Sequence, residues 1–290
     1  MISVADYKSE AEIQWCPGCP NFGILQTWKK VLAELDLPPD RLCLVSGIGQ
    51  AAKLPHYLKC NFFNGLHGRA LPAATAIKTA NPELTVVVTT GEGDCYGEGG
   101  NHLLHAFRRN PDITLAVHNN ELYALTLGQA SPTTPPGEKR SIQVKGVDEA
   151  PLNMLAVAMV QGCTFVARGF AGDQEHLGEI LGEAVRHEGF SYVDIVQPCI
   201  TWGTRPVSWY KERVVRLGED HDPADRQKAL QTVLDPGEKI PVGVLYRTDP
   251  KPVFGHRFRK AVSGGRPFAD LPPLDRESAA EILSEFRAGE

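Results

Sequence analysis

The sequence predicts an α/β fold, a mostly parallel sheet with helices on both faces, and three observations carry that reading. Apolar runs of strand length alternate with helix-length amphipathic stretches from Leu42 to Val196. Two of the runs, Leu84 to Val88 and Ile113 to Val117, are close to continuously apolar, as parallel strands covered on both faces are. The first is cut off by Gly91-Glu92-Gly93-Asp94 and the second by Asn119-Asn120, so a carboxylate and a side-chain amide meet at the carboxyl edge of neighbouring strands. Such hard oxygens suit a small cation that also carries phosphate.

Residues 1–15 are mixed in character and read as an arm ending in Trp15. Cys16-Pro17-Gly18-Cys19 then forms a tight knuckle, because proline fixes φ and glycine admits the turn, and both thiols aim at one centre. The pair reads as a redox couple, as half of a zinc or iron–sulfur site, or as two reduced thiols in a turn. From Asn21 a helix runs to about Leu35 on Leu25, Trp28 and Leu32, and Pro38-Pro39 stop it. Leu42 to Ser46 is a strand ending in Gly47-Ile48-Gly49-Gln50, a turn that lets backbone approach a ligand, and Lys53 follows it.

Asn64-Gly65-Leu66-His67-Gly68-Arg69 opens an alanine-rich helix that continues to Ala80, and its His-Gly-Arg start is a candidate anion site. After the central turn, Gly97, Gly99 and Gly100 open a helix from Asn101 to Arg109. The dinucleotide fingerprint fails there, since Tyr96 stands where its third glycine belongs, and no Gly-Lys-Ser/Thr makes a Walker loop. Residues 131–146, with Pro132, Pro135 and Pro136, read as a loop covering the site. A helix over Ala150 to Gln161, a strand over Thr164 to Ala167, a helix from Asp173 to His187 and a strand over Tyr192 to Val196 lead to Gln197-Pro198-Cys199. From Thr204 the chain is charged and broken by proline, which reads as an extended C-terminal tail with a last helix from Ser278 to Arg287. The division expected is therefore a main domain over 1–203 and an extension over 204–290.

At 290 residues the chain is long enough to bury a full α/β core. Its formal net charge of −5 leaves no basic footprint for nucleic acid. No apolar run approaches the roughly 20 residues that span a bilayer, and Met1 to Asp6 lacks the basic and apolar regions of a signal peptide, so a cytoplasmic location is expected. Seven cysteines, odd in number and scattered, point away from a disulfide framework and toward buried thiols, catalysis or metal.

A glycine-acid-glycine turn followed after nearly thirty residues by Asn-Asn resembles the signature of thiamine diphosphate enzymes. There the acid, the asparagine amide and a backbone carbonyl two residues on bind Mg²⁺. The resemblance puts Glu92, Asn120 and Leu122 in those roles, with Glu where Asp is usual and Asp94 as the alternative acid. Around this core, Trp15-Cys16-Pro17-Gly18-Cys19, Gly47-Ile48-Gly49, Gly65-Leu66-His67-Gly68-Arg69-Ala70-Leu71-Pro72, Gly99-Gly100-Asn101-His102 and the run from Tyr123 to Thr133 resemble, in that order, the β subunit of 2-oxoacid:ferredoxin oxidoreductases. The likeness extends from Trp15 to Trp202.

That resemblance implies a thiamine-diphosphate-binding fold with Ile48, Gly49, Gln50, Ala51, His67, Gly68, Gly91, Gly93, Asp94, Ala124 and Leu125 at the cofactor. It implies Lys53 and His67 as positioning groups, with Lys53 pairing a substrate carboxylate. It also implies a [4Fe–4S] cluster on Cys16, Cys19 and Cys199; the position of a further cysteine is occupied by Gln50, which leaves an unusual ligand, Cys60 or Cys43 as the fourth, or a labile or empty site. The implied reaction is oxidative decarboxylation of a 2-oxoacid with coenzyme A, electrons passing through the cluster to ferredoxin, and the His-Gly-Arg-Ala-Leu-Pro form is most similar to the 2-oxoglutarate branch. The implied partner is an α subunit, in an αβ dimer of dimers, that supplies the activating glutamate and receives the C-terminal extension. Two other functions stay open on the residues alone: a non-oxidative thiamine decarboxylase, and a subunit whose cysteines hold structural zinc.

Overall fold

The structure is a computed structural model that describes residues 1–285, so the expected end of the last helix at Arg287 lies outside the described residues. Helix α1 spans Asn21–Glu34, and its apolar residues at helical spacing, Ile24, Leu25, Trp28, Val31 and Leu32, are all buried. Strand β1 (Leu42–Ser46) is followed by an edge strand β2 (Asn61–Asn64), then α2 (Ala70–Ala80), β3 (Thr85–Gly91), α3 (Gly100–Arg109) and β4 (Thr114–Asn119). A small antiparallel hairpin of β5 (Leu122–Tyr123) and β6 (Gln129–Ala130) comes next. Then follow α4 (Met154–Val160), β7 (Phe165–Phe170), α5 (Gln174–Arg186) and β8 (Ser191–Val196). The C-terminal part supplies α6 (Val207–Arg213), β9 (Val214–Arg216), α7 (Arg226–Leu234), β10 (Ile240–Arg247), α8 (His256–Ser263) and α9 (Arg276–Glu285).

Eight strands form one sheet in the order β2-β1-β3-β4-β8-β7-β10-β9. All neighbours are parallel except β10 against β7. Side chains alternate across each strand, so Val86, Val88, Leu115 and Val117 enter one core with α2, α3, α4 and α7, while Val87, Ala116 and Ile195 enter the other with α1 and α5. Both faces being covered explains the continuous apolar runs. Strand order reverses between β1 and β3, and at such a point the loops leaving the carboxyl ends diverge and open a crevice.

Three expectations change. Residues 1–15 are anchored: Tyr7 is fully buried, its hydroxyl donates to the Leu37 carbonyl, and Lys8 bridges Leu58. Aromatic groups of that size are worth burying, and Trp15 joins the same core. The helix expected from Asn64 begins at Ala70, because Asn61–Asn64 pair with β1 and Gly68 adopts a left-handed φ of 70°. No break in the sheet falls at 203/204: β9 and β10 complete it, and α7 packs its Ala229 and Val233 into the core of α4.

Candidate functional site

Three turns at the carboxyl ends of β1, β3 and β4 line one cavity: residues 48–51, residues 91–94, and Asn120 with 122–126. His67, ahead of α2, and Gln197, after β8, complete its wall. Thus every expected cofactor residue except Gly68 lies on this cavity, and Gly68 stands beside it.

Asp94 ties the turns together. Its Oδ1 accepts from the Gly68 amide at 2.7 Å and the Ile48 amide at 3.1 Å and lies 2.7 Å from His67 Nδ1, while Oδ2 accepts from the Thr90 hydroxyl at 2.5 Å. A Cβ on Gly47 would collide with this carboxylate, which is why that position is glycine. With these bonds Asp94 ties three turns together and organises the cavity, while Glu92 is the acid that faces the β4 exit.

Glu92 is 1 % exposed and faces the β4 exit: Oε1 accepts from the Leu122 amide at 2.9 Å and Oε2 from the Asn120 amide at 3.3 Å. Asn120 Oδ1 accepts from the same Leu122 amide at 3.1 Å. Two oxygens of the expected Mg²⁺ set therefore stand side by side, both accepting from one N–H that a bound cation would have to displace. One carboxylate and one amide leave positions for phosphate and water, the usual manner of Mg²⁺ binding. Burial pushes the Glu92 carboxyl up to about 7, opposed by hydrogen bonds that include those two amides.

Gly93 and Gly97 leave room for the Tyr123 ring, whose hydroxyl donates to the Gly93 carbonyl at 3.2 Å; a Cβ at either glycine would strike it. The hairpin is held from outside by a charged cluster. Arg205 donates to Glu121 at 3.2 Å and to Glu138 at 2.9 Å, Arg140 donates to Glu138 at 2.5 Å and to the Trp202 carbonyl at 2.8 Å, and Tyr210 donates to Glu121 at 3.1 Å. The loop over 131–146 accordingly packs on the β4 exit, with Thr133 donating to Asn119 at 2.9 Å and Thr134 to the Glu121 carbonyl at 2.6 Å.

A second cavity lies behind the first and shares Gln50, Asn120, Ala124 and Gln197 with it. Cys16, Cys19 and Cys199 line this second space, although among the described residues no three His, Cys, Asp or Glu side chains stand close enough to hold a metal by themselves. Burial raises the Cys19 thiol, opposed by the Asn21 amide, and the Trp202 amide donates to Cys199 Sγ at 3.4 Å. Cys43 and Cys60 are not on this cavity; Cys43 is buried in β1, and burial pushes the Cys60 thiol up to about 12. Lys53 does not line the first cavity, and its ammonium donates to the Gln14 carbonyl at 3.2 Å.

Gln197, Tyr123 and the charged cluster escaped the sequence reading. Gln197 was visible only as the neighbour of Pro198-Cys199, and ion pairs between residues 67 and 84 positions apart leave no local pattern.

The family described as thiamine pyrophosphate enzyme, C-terminal TPP binding domain, matches residues 46–195, and the family of the C-terminal part of the pyruvate ferredoxin oxidoreductase β chain matches residues 199–262. The chain is 40% identical to 2-oxoacid:ferredoxin oxidoreductase 1, subunit beta, of Aeropyrum pernix, over 98% of this chain and 94% of that one. It is 42% identical to the corresponding β subunit of Saccharolobus solfataricus, over 81% and 82% of the two chains. A solved 2-oxoglutarate:ferredoxin oxidoreductase from Magnetococcus marinus, with 2-oxoglutarate, coenzyme A and succinyl-CoA bound, superposes with a TM-score of 0.88 at 35% identity, over 97% of this chain and 96% of that one. Fold and sequence agree that the chain belongs to the β subunits of the 2-oxoacid:ferredoxin oxidoreductases.

Proposed function

We propose that the first cavity holds thiamine diphosphate through Mg²⁺ on Glu92, Asn120 and the Leu122 carbonyl, and that the second holds a [4Fe–4S] cluster on Cys16, Cys19 and Cys199. The observation that carries this is the shared wall of Gln50, Asn120, Ala124 and Gln197, which sets the two cavities back to back. Thiamine diphosphate, when bound, supplies carbanion stabilisation, and the cluster supplies one-electron transfer.

The chain's own residues do the rest. Glu92 and Asn120 hold the cation that neutralises diphosphate, and the His67 and Gly68 turn faces the cofactor while Asp94 fixes it. Ile48 and Leu125 present apolar surface to the substrate side of the cavity. Lys53 is held by a single carbonyl contact at the edge of a turn whose Ala51 lines the cavity, so a substrate carboxylate would draw its ammonium from Gln14. The substrate is 2-oxoglutarate, as in the Magnetococcus marinus enzyme and the KorB subunits of Mycobacterium tuberculosis and Archaeoglobus fulgidus. Coenzyme A accepts the acyl group and ferredoxin the electrons, and the α partner completes the site in an αβ dimer of dimers. All seven cysteines are free, which suits a reducing cytoplasm.

The test is co-expression with an α partner, followed by 2-oxoacid- and coenzyme A-dependent reduction of a dye across several 2-oxoacids. Turnover fastest with 2-oxoglutarate, and none with this chain alone, is expected. Decarboxylation without dye reduction would overturn the oxidoreductase reading.

A further inference from the structure

The cysteine cavity holds three thiols, whereas iron–sulfur clusters of this kind are held by four protein ligands. We propose that Gln50 is the fourth ligand, through its side-chain oxygen, so that one iron of the cluster carries an amide in place of a thiolate. The inference rests on the cluster reading above and names what completes it.

Three observations converge on Gln50. Its Oε1 is buried and has no hydrogen-bond partner, an uncompensated loss of water that a metal ion would repair. Its side chain lines the same cavity as the three cysteines. Its main-chain carbonyl accepts the indole N–H of Trp15 at 2.9 Å, which pins it to the residue directly before Cys16. Of the other polar groups there, Asn21 Oδ1 lies 2.9 Å from His118 Nδ1 and Asn120 Oδ1 accepts from Leu122, while Gln197 Oε1, also buried without a partner, competes for the same role, and the Gln50 variants below separate the two. The spare cysteines Cys43 and Cys60 do not compete, since both lie off the cavity.

An amide oxygen differs from thiolate in two ways that can be measured. It is hard where iron in a sulfide cage prefers soft donors, so its iron is held less firmly than the other three. It is also neutral, so the cluster carries one negative charge less and accepts an electron more readily, the direction seen when imidazole replaces thiolate in Rieske centres.

The experiment uses the complex with the α partner, purified without oxygen, as wild type and as Gln50→Cys, Gln50→Glu and Gln50→Ala. Iron, sulfide and retained thiamine diphosphate are counted, the midpoint potential is measured, and iron release is followed with ferricyanide and a chelator. Ferricyanide takes one electron from [4Fe–4S]²⁺, Fe²⁺ leaves to the chelator, and [3Fe–4S]⁺ remains, visible by its paramagnetic resonance. The wild type is expected to lose that single iron readily, Gln50→Cys at least tenfold more slowly and with a lower potential, and Gln50→Glu between them. Gln50→Ala is expected to emerge already as the three-iron form. Equal iron content and equal release rates in wild type and Gln50→Ala would overturn the ligand while leaving the cluster. Iron absent from a wild type that retains thiamine diphosphate would overturn both.

Discussion

Two buried ionisable groups with opposite preferences lie close to the site. Burial pushes Glu92 up to about 7 and His118 down to about 4. Glu92 keeps its proton in the folded chain while the unfolded chain has lost it, so its contribution falls as pH rises from the ordinary carboxyl value toward 7. His118 stays neutral in the folded chain while the unfolded chain gains a proton, so its contribution falls as pH drops from about 6.5 toward 4. Each effect amounts to about 3 kcal/mol at 1.36 kcal/mol per unit, and over the shared window they nearly cancel. Relative to the cofactor-free wild type, Glu92→Gln should therefore lose roughly 2–3 kcal/mol more urea stability on acidification from about pH 6.5 to about 4.5. A variant whose pH profile overlays the wild type would contradict the burial of Glu92. At Lys53, Lys53→Ala should raise KM for the 2-oxoacid on the order of tenfold with a smaller change in kcat, the loss of one charged contact. A fall in melting temperature with KM unchanged would leave Lys53 as an anchor for the arm at Gln14 alone.

Turns, rather than strands, carry the chemistry, and single side chains fasten them. Asp94→Ala would leave the Ile48 and Gly68 amides without their acceptor, at about 1–3 kcal/mol each, and should abolish thiamine diphosphate retention while chemical denaturation still reports a cooperative fold. Arg205 bridges the β4 exit and the covering loop, and Glu121 beside it has its carboxyl raised by burial and lowered by that guanidinium. Arg205→Met should cost about 2–4 kcal/mol by stranding that charge, and adding Glu121→Gln should restore part of it; strictly additive losses would show the pair is not coupled. The strands that frame these turns were legible, because β1, β3, β4, β7 and β8 are buried on both faces and spell it in Val, Leu, Ile and Phe. The exposed edge Asn61–Asn64 has no such pattern, and Pro241 and Gly243 disguise β10. The site was legible where glycine marks a close approach and cysteine a knuckle. Asp94 as the knot of three turns was not, since hydrogen bonds across 26 and 46 positions are written only in the fold.

At the scale of the whole molecule, the two cavities open among apolar groups that no part of the described chain covers. Leu66 and Leu127 are 77% and 64% exposed; the first precedes His67 on the cofactor cavity, and the second follows its lining residue Thr126. Phe62 and Phe63 stand out from the β2 edge, and Trp202 packs on Gly128 while lining the cysteine cavity. A run of large exposed apolar side chains with an unpaired strand edge is costly to leave in water and suits a permanent partner. Membership among β subunits names that partner's class as the α subunit. Hydrogen exchange on this chain, alone and in the αβ complex, should therefore show new protection concentrated in residues 61–67 and 124–128, with the α1 and α5 face unchanged. Protection confined to the α1 and α5 face would move the interface to the far side of the sheet, and the closing of the cofactor cavity would then need another cause.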